Sequence, residues 1–88
     1  MNKRQKEPWE QPSINGKPVT KQEDRIVKYI LSNKPLKLLH EFLGNSPHTA
    51  KTEYENLKRK VSVHTEKELA VAAMASGYDA QGNYHPHK

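Results

Sequence analysis

Residues 19–63 read VTKQEDRIVKYILSNKPLKLLHEFLGNSPHTAKTEYENLKRKVSV, and the second half of this stretch decides the fold. Gly44 is suited to end one helix, and the Ser46 hydroxyl to cap the next, with Pro47 at its first position. Basic residues then recur at Lys51, Lys58, Arg59 and Lys60. Two helices separated by so short a turn are typical of a helix-turn-helix unit, whose second helix enters the major groove of DNA.

The first two helices are predicted from their caps and their apolar spacing. Thr20 and Glu23 form a capping box, in which each side chain accepts a hydrogen bond from the backbone of the other residue. Apolar residues follow at helical spacing, at Ile26, Val27, Ile30 and Leu31. Asn33 is suited to the left-handed conformation that ends a helix. The second helix starts near Pro35 and has an apolar stripe at Leu36, Leu39, Phe42 and Leu43.

The third and fourth helices complete the predicted domain. The third runs from Ser46 to about Lys60, with an inward face at Ala50, Leu57 and Val61. Thr65 and Glu68 mark a second capping box, which opens a fourth helix over residues 69–76 that is stopped by Gly77. No strand pattern competes with these helices. The sequence therefore predicts an all-α fold of four helices over residues 19–77.

Length and composition set the limits of the function classes. The chain has 88 residues, about a third of them apolar, which allows one small domain with a small core. It contains no cysteine, which excludes a disulfide framework and a cysteine-based zinc finger. No apolar run approaches the roughly 20 residues of a membrane span, and no signal-peptide pattern opens the chain. A cytoplasmic protein without membrane contact is expected.

The two ends of the chain are predicted to be tails. Residues 1–18 combine prolines and charges without apolar periodicity, so we expect a disordered basic tail in which Trp9 has no assigned role. Residues 78–88 are expected to form a second flexible tail. The first tail, the domain and the second tail carry formal charges of +2, +3 and 0, which make up the +5 of the chain. This excess permits nucleic-acid binding without establishing it.

Residues 19–70 resemble the GerE/LuxR-type helix-turn-helix domain of bacterial transcription regulators. The alignment needs no gap, and the matching positions are Val19, Thr20, Glu23, Ile26, Val27, Ile30, Lys37, Leu39, Leu43, Ser46, Thr49, Lys51, Asn56, Leu57, Arg59, Lys60 and Val63. Other positions depart from the family pattern, among them Gln22, Asn33, Pro35, Leu36, Leu38, His40, Asn45, Glu53 and Ser62. The resemblance implies a retained scaffold with changed contacts, so no target sequence is carried over.

The resemblance implies that Lys51, Thr52 and Glu55 meet base edges in the major groove. Their chemistry fits, because lysine donates to guanine, a threonine methyl contacts a thymine methyl, and a carboxylate accepts from the cytosine amino group. For Glu55, an ion pair with Lys51 or Arg59, each four residues away on the helix, is the alternative.

Phosphate contacts are implied for Thr49, Lys58, Arg59 and Lys60 on the third helix and for Lys37 on the second. The alternative for these residues is a solvated basic face. The fourth helix commonly forms the dimer contact in this family, which points to Ala70, Val71, Ala73 and Met74. Packing of the same residues onto the domain's own core is the alternative. A dimer implies two half-sites related by two-fold symmetry.

Other chemistry is weakly supported by the sequence. His85 and His87 flank Pro86 closely enough to suggest a metal, but two ligands on a tail do not make a site. No phosphate-binding glycine loop, catalytic triad or small-molecule site is evident, so we expect neither an enzyme nor a cofactor. No ligand-sensing pattern accompanies the domain, which leaves expression level or a partner to control it.

Two functions remain open at this stage. The first is a sequence-specific DNA-binding transcription regulator that acts as a homodimer on double-stranded DNA at the bacterial nucleoid. The second is a protein-interaction module that pairs with a full-length regulator through the fourth helix and blocks it. Asn45, Glu53 and Glu55 lend the second some support, because the two carboxylates on a recognition helix weaken its attraction to phosphates.

Overall fold

The computed structural model describes residues 11–85, and most of them are helical. A short antiparallel hairpin comes first, formed by β1 (Ser13–Ile14) and β2 (Lys17–Pro18). Four α-helices follow in the described part of the chain: α1 (Lys21–Leu31), α2 (Leu39–Leu43), α3 (Pro47–Lys60) and α4 (Glu66–Ala75). The structure is therefore a small, mostly helical fold of four helices with a two-stranded sheet.

Helix α1 confirms the predicted capping box. The Glu23 backbone N–H donates to the Thr20 hydroxyl at 3.1 Å, and the Thr20 N–H donates to the Glu23 carboxylate at 3.0 Å. Ile26, Val27 and Ile30 are buried on its inner face. The helix ends at Leu31, and Asn33 then takes the predicted left-handed conformation with φ of 60°. Local signals were sufficient here because a cap and its helix lie within one stretch of sequence.

Helix α2 is shorter than its apolar stripe suggests. A 3-10 turn over Leu36–Leu38 precedes it, and only five residues are α-helical. Leu39 and Leu43 are buried, whereas Phe42 is 39% exposed, so the predicted stripe enters the core only in part. Gly44 ends the helix with φ of 76°, as predicted. This left-handed residue turns the chain towards α3.

Helices α3 and α4 begin at the predicted caps. The Ser46 hydroxyl accepts from the Thr49 N–H, and the Thr65 hydroxyl accepts from the Glu68 N–H. The second predicted capping box is only half formed, because the Glu68 carboxylate accepts from the His64 N–H at 2.7 Å instead of reaching Thr65. Helix α4 also starts earlier than residue 69, since the residue after the Thr65 cap is already helical.

The hairpin corrects the prediction that residues 1–18 form a tail with no strand. Residues 1–10 lie outside the described part of the chain, but residues 11–18 belong to the fold. Asn15 and Gly16 form its turn with φ of 53° and 79°, as two-residue hairpin turns require. Ile14 is fully buried. The Asn15 amide donates to the Val61 carbonyl at 2.9 Å, which fixes the hairpin at the end of α3.

The C-terminal segment corrects the second predicted tail. Tyr78 is buried, pairs with Tyr84 in an isolated bridge, and donates a hydrogen bond to Asp24 on α1. Lys28 donates to the Gly82 carbonyl at 2.7 Å, so the segment up to residue 85 lies against α1. Residues 86–88 are outside the described part.

The core lies where all of these elements meet. Fully buried residues come from the hairpin, from α1, from α3 and the residue after it, and from α4: Ile14, Ile26, Leu57, Val61 and Leu69. The core holds α3 along one side and leaves its opposite side to solvent.

Among residues 11–85, no helix has both the length and the apolar character that a membrane crossing needs.

Candidate nucleic-acid interface

The turn between α2 and α3 consists of three residues, Gly44, Asn45 and Ser46. The N–H groups of Gly44 and Asn45 both donate to the His40 carbonyl, at 2.9 and 3.0 Å, which closes the end of α2. The Asn45 amide donates to the Glu53 carboxylate at 3.2 Å, and the Gln22 amide donates to the same oxygen at 3.1 Å. This network joins the turn to α1 and α3 and so fixes the direction of α3.

Helix α3 has one buried side and one solvent-facing side. Ala50, Tyr54 and Leu57 are buried at helical spacing. On the opposite side lie the residues that we call the recognition face: His48, Lys51, Thr52, Glu55 and Arg59. All of them are exposed except Glu55, which is half-buried. The three residues expected to contact bases therefore lie together on one surface, as the 100° turn per helical residue dictates.

Glu55 forms an ion pair, but not with the partners considered from the sequence. Its carboxylate lies 3.4 Å from the ammonium of Lys58, three residues along the helix. The expected alternative partners were Lys51 and Arg59, four residues away in each direction. The pair with Lys58 offsets the charge of the carboxylate on the recognition face.

Two of the residues predicted to contact phosphates already have partners within the protein. Lys58 is largely buried; its ammonium lies 4.6 Å from the Tyr54 ring centre and donates to the His64 carbonyl at 3.3 Å. The Lys60 ammonium pairs with the Glu23 carboxylate at 2.9 Å, on the side of α3 that faces α1. Three consecutive basic residues cannot share a helical face, because each step turns the side chain by about 100°.

The other three predicted phosphate contacts are exposed around the recognition face. Arg59 points to solvent and donates to Asn56 at 2.8 Å. Thr49 is exposed in the first turn of α3, where its hydroxyl accepts from Ser46 at 3.0 Å. Lys37 is exposed on the 3-10 turn and lines, with Lys51, a groove of about 470 Å³ between α2 and α3. Lys37 and the recognition face therefore form one continuous surface.

One exposed residue of this surface and one buried residue next to it were missed from the sequence. His48 is exposed in the first turn of α3, four residues before Thr52, and that spacing places it on the same face. Tyr54 is buried beneath the Lys58 ammonium. Burial, with a smaller contribution from the Glu66 and Glu55 charges, raises the pKa of Tyr54 to about 12. Its hydroxyl is therefore neutral at physiological pH.

The predicted dimer face on α4 is only partly available. Val71 and Met74 are 59% and 48% exposed, and Ala70 is half-buried. Ala73 is fully buried, so its assignment to a dimer interface is wrong. Ala73 follows Leu69 by one helical turn, and both face the core.

No protein-family model matches this chain, and no curated protein or solved structure matches it.

His85, considered from the sequence as a metal ligand, pairs with Asp79 in the structure. Residues 11–85 contain no group of three or more side chains able to hold a metal ion. Within this range, His85 pairs with the Asp79 carboxylate at 2.7 Å, while His87 lies outside it. The hydrogen bond from His85, together with backbone N–H groups of Asn83 and Gln81, lowers the pKa of Asp79. His85 therefore stabilises the turn over residues 79–83.

Proposed function

We propose that this protein is a sequence-specific DNA-binding transcription regulator of the GerE/LuxR type, acting in the bacterial cytoplasm without a catalytic role. The observation that carries the proposal is the recognition face. It is a polar, solvent-facing surface on the longest helix, which follows a three-residue turn fixed by hydrogen bonds. A helix held rigidly with one polar side exposed is what insertion into the major groove requires.

The recognition face offers complementary groups for base edges. We assign Lys51 to the acceptors of a guanine, and the Thr52 methyl to a thymine methyl. Glu55 is assigned to the amino group of a cytosine. Its pair with Lys58 reduces the repulsion between the carboxylate and the DNA phosphates, and Glu55 has to exchange this partner for the cytosine amino group on binding.

Phosphate binding is assigned to the exposed groups around that face. Lys37 and Arg59 supply charge, and Thr49 supplies a hydroxyl near the start of α3. Lys58 and Lys60 contribute less, because both ammonium groups already have partners within the fold. Each neutralised phosphate contributes about −0.9 to the slope of log affinity against log salt, so these two cations give an expected slope of roughly −2 per chain.

A homodimer on DNA is proposed through the outer face of α4. Val71 and Met74 are large apolar side chains left in solvent, with Ala70 partly exposed beside them. Burying them against the same residues of a second copy would give a two-fold contact. Such a dimer presents two recognition helices to two half-sites.

The second candidate is an interaction module that pairs with a full-length regulator and blocks it. The exposed Val71 and Met74 favour it equally well. The argument from Glu53 is weaker, because this carboxylate is half-buried and accepts hydrogen bonds from Gln22 and Asn45. It therefore adds little charge to the recognition face, and DNA binding remains the preferred function.

The deciding experiment is selection of the purified chain against a pool of random DNA duplexes at near-physiological salt, followed by sequencing. An enriched motif with two-fold symmetry would support a dimeric regulator and identify its site. A Lys51→Ala variant carried through the same selection is the matched control and should lose preference at one base pair of each half-site. Absence of any enriched motif would reject the proposal in favour of the interaction module.

A further inference from the structure

A second surface, made of residues outside the recognition face and outside α4, lies on the end of the 3-10 turn and on the exposed side of α2. Leu38 and Phe42 are each 39% exposed, and they lie one helical turn apart. We call these two residues, with Arg25, Tyr29 and Lys34 around them, the α2 patch. Large apolar side chains that remain together in solvent on a small domain mark a contact surface more often than isolated ones do.

The aromatic part of the α2 patch is held in a fixed position. The Phe42 ring centre lies 5.1 Å from that of Tyr29, whose hydroxyl donates to the Pro35 carbonyl at 2.6 Å. Arg25 donates to the Phe42 carbonyl at 2.9 Å, and its guanidinium lies 5.3 Å from the centre of the ring. Binding to a surface that is already ordered loses little conformational entropy.

The charges around these apolar groups are mostly positive. The Lys34 ammonium lies 6.0 Å from the ring centres of both Tyr29 and Phe42. Within residues 11–85, neither Lys34 nor Arg25 forms an ion pair with a carboxylate. Glu41, next to Phe42 in the chain, is an exposed carboxylate 4.0 Å from His40, which offsets its charge only when protonated. The α2 patch is thus an apolar contact bordered by two cations whose charge is not offset by a salt bridge.

We propose that the α2 patch binds an amphipathic segment of another protein, with apolar side chains next to aspartate or glutamate. The apolar groups would pack on Leu38 and Phe42, and the carboxylates would pair with Arg25 and Lys34. The Arg25 guanidinium already donates to the Gln22 side chain at 3.3 Å and to the Phe42 carbonyl, so its remaining N–H groups would supply this pairing. Two exposed apolar residues cover little area, so the interaction is a weak, transient one.

A single-stranded nucleic acid is the competing occupant of such a surface, since bases stack on exposed aromatic rings beside cations. The Phe42 ring already contacts the Tyr29 ring and the Arg25 guanidinium. Part of its surface is therefore covered, and the neighbouring Leu38 offers an aliphatic contact with no stacking plane. These features favour an apolar, acidic peptide.

The test is selection of peptides from a random displayed library on the full chain. We expect enrichment of sequences that combine leucine, phenylalanine or methionine with aspartate and glutamate. Binding of the enriched peptides should weaken by about tenfold or more in Leu38→Ser and in Lys34→Glu, as substitutions at the centre of a contact do. Lys17→Glu, which reverses an exposed charge on the hairpin, is the matched control and should bind as the unchanged chain does.

Three results would overturn the inference: no enriched peptide, enriched peptides that lack acidic residues, or binding that Leu38→Ser and Lys34→Glu leave unchanged. The competing result is that a single-stranded thymidine oligonucleotide displaces these peptides and shifts the NMR signals of Leu38 and Phe42. That result would assign the surface to nucleic acid. Duplex selection with Leu38→Ser keeps this inference distinct from the proposed function. This variant should enrich the same motif as the unchanged chain.

Discussion

The hydroxyl of Tyr78 donates a 2.6 Å hydrogen bond to the carboxylate of Asp24, 54 positions earlier in the chain, and both residues are buried. Asp24 lies on the inner side of α1, where its other neighbour is the Lys28 ammonium at 3.8 Å. The bond joins the C-terminal segment to the first helix. A buried carboxylate requires such a partner, because removing its charge from water without one is costly.

We expect Tyr78→Phe to lower the free energy of unfolding by ~1–3 kcal/mol, since it leaves a buried carboxylate oxygen without its donor. Urea denaturation followed by circular dichroism measures the change. Tyr84→Phe is the matched control: it removes a hydroxyl that makes no hydrogen bond within residues 11–85, from the ring beside Tyr78. Equal stability of the Tyr78→Phe chain and the unchanged chain would show that the segment does not rest on α1 in solution.

Stability should also fall in alkaline solution because of Tyr54. Its pKa is about 12 in the folded chain, raised chiefly by burial, against roughly 10 in the unfolded chain. Between these values the unfolded chain releases the phenolic proton and the folded chain retains it. The stabilising contribution is therefore complete below about pH 10 and is lost as the pH rises towards 12.

The measurement is the urea midpoint as a function of pH, for the unchanged chain and for Tyr54→Phe. The variant should be less sensitive to pH over this range. Parallel curves would mean that the Tyr54 hydroxyl is equally hydrated in both states.

The hairpin should be required for stability although it lies outside the four helices. Ile14→Ala removes a fully buried side chain and should cost ~2–5 kcal/mol. Lys17→Ala, on the exposed partner strand, should change stability by less than about 0.5 kcal/mol. Thermal and urea unfolding of the two variants give the comparison. If Ile14→Ala proved as mild as Lys17→Ala, the hairpin would have to be detached from the core in solution.

The four helices were predictable from sequence, whereas the packed ends of the chain were not. Caps such as Thr20 with Glu23 act within one helical turn, so the sequence contains both partners side by side. Ile14, Asn15 and Tyr78 derive their positions from contacts with residues tens of positions away. They stand mostly among prolines, glycines and polar residues, which are also typical of tails, so composition indicated the opposite of what packing produces.

The candidate interface was predictable in part for the same reason. The resemblance to GerE/LuxR-type domains pointed to Lys51, Thr52 and Glu55, and helical geometry then predicts that they share one face. Neither could show that Lys60 reaches across to Glu23 on α1, or that Lys58 lies over Tyr54. These contacts depend on how helices and side chains pack, and a basic run in a sequence does not reveal which of its charges remain available.

Lys51 and Arg59 should affect DNA binding in different ways. Lys51→Ala removes a proposed base contact and should cost ~1–3 kcal/mol while relaxing preference at one base pair. Arg59→Ala should weaken binding to all sequences alike and reduce the salt slope by about 1. Titration of the selected duplex and of single-base variants at several salt concentrations separates the two.

Lys60→Ala is the control for this pair of variants. It removes the same charge as Lys51→Ala, but from an ammonium that pairs with Glu23. Its salt slope should match that of the unchanged chain. A reduced slope for Lys60→Ala, with none for Arg59→Ala, would mean that a different side of α3 faces the phosphates.

Met74→Glu should separate dimer formation from DNA contact. Met74 is 48% exposed on α4, and a carboxylate there would be buried next to its symmetry-related copy in the proposed dimer, where like charges repel. We expect the unchanged chain to bind a two-half-site duplex with two copies and Met74→Glu to bind with one, more weakly. Sedimentation of the complexes gives the stoichiometry. Ala80→Glu adds the same charge at an exposed position outside α4 and should still bind as two copies. Two copies of Met74→Glu bound at unchanged affinity would place the dimer contact elsewhere. If Met74→Glu instead abolished binding to a full-length regulator and kept full binding to the duplex, the interaction module would be favoured.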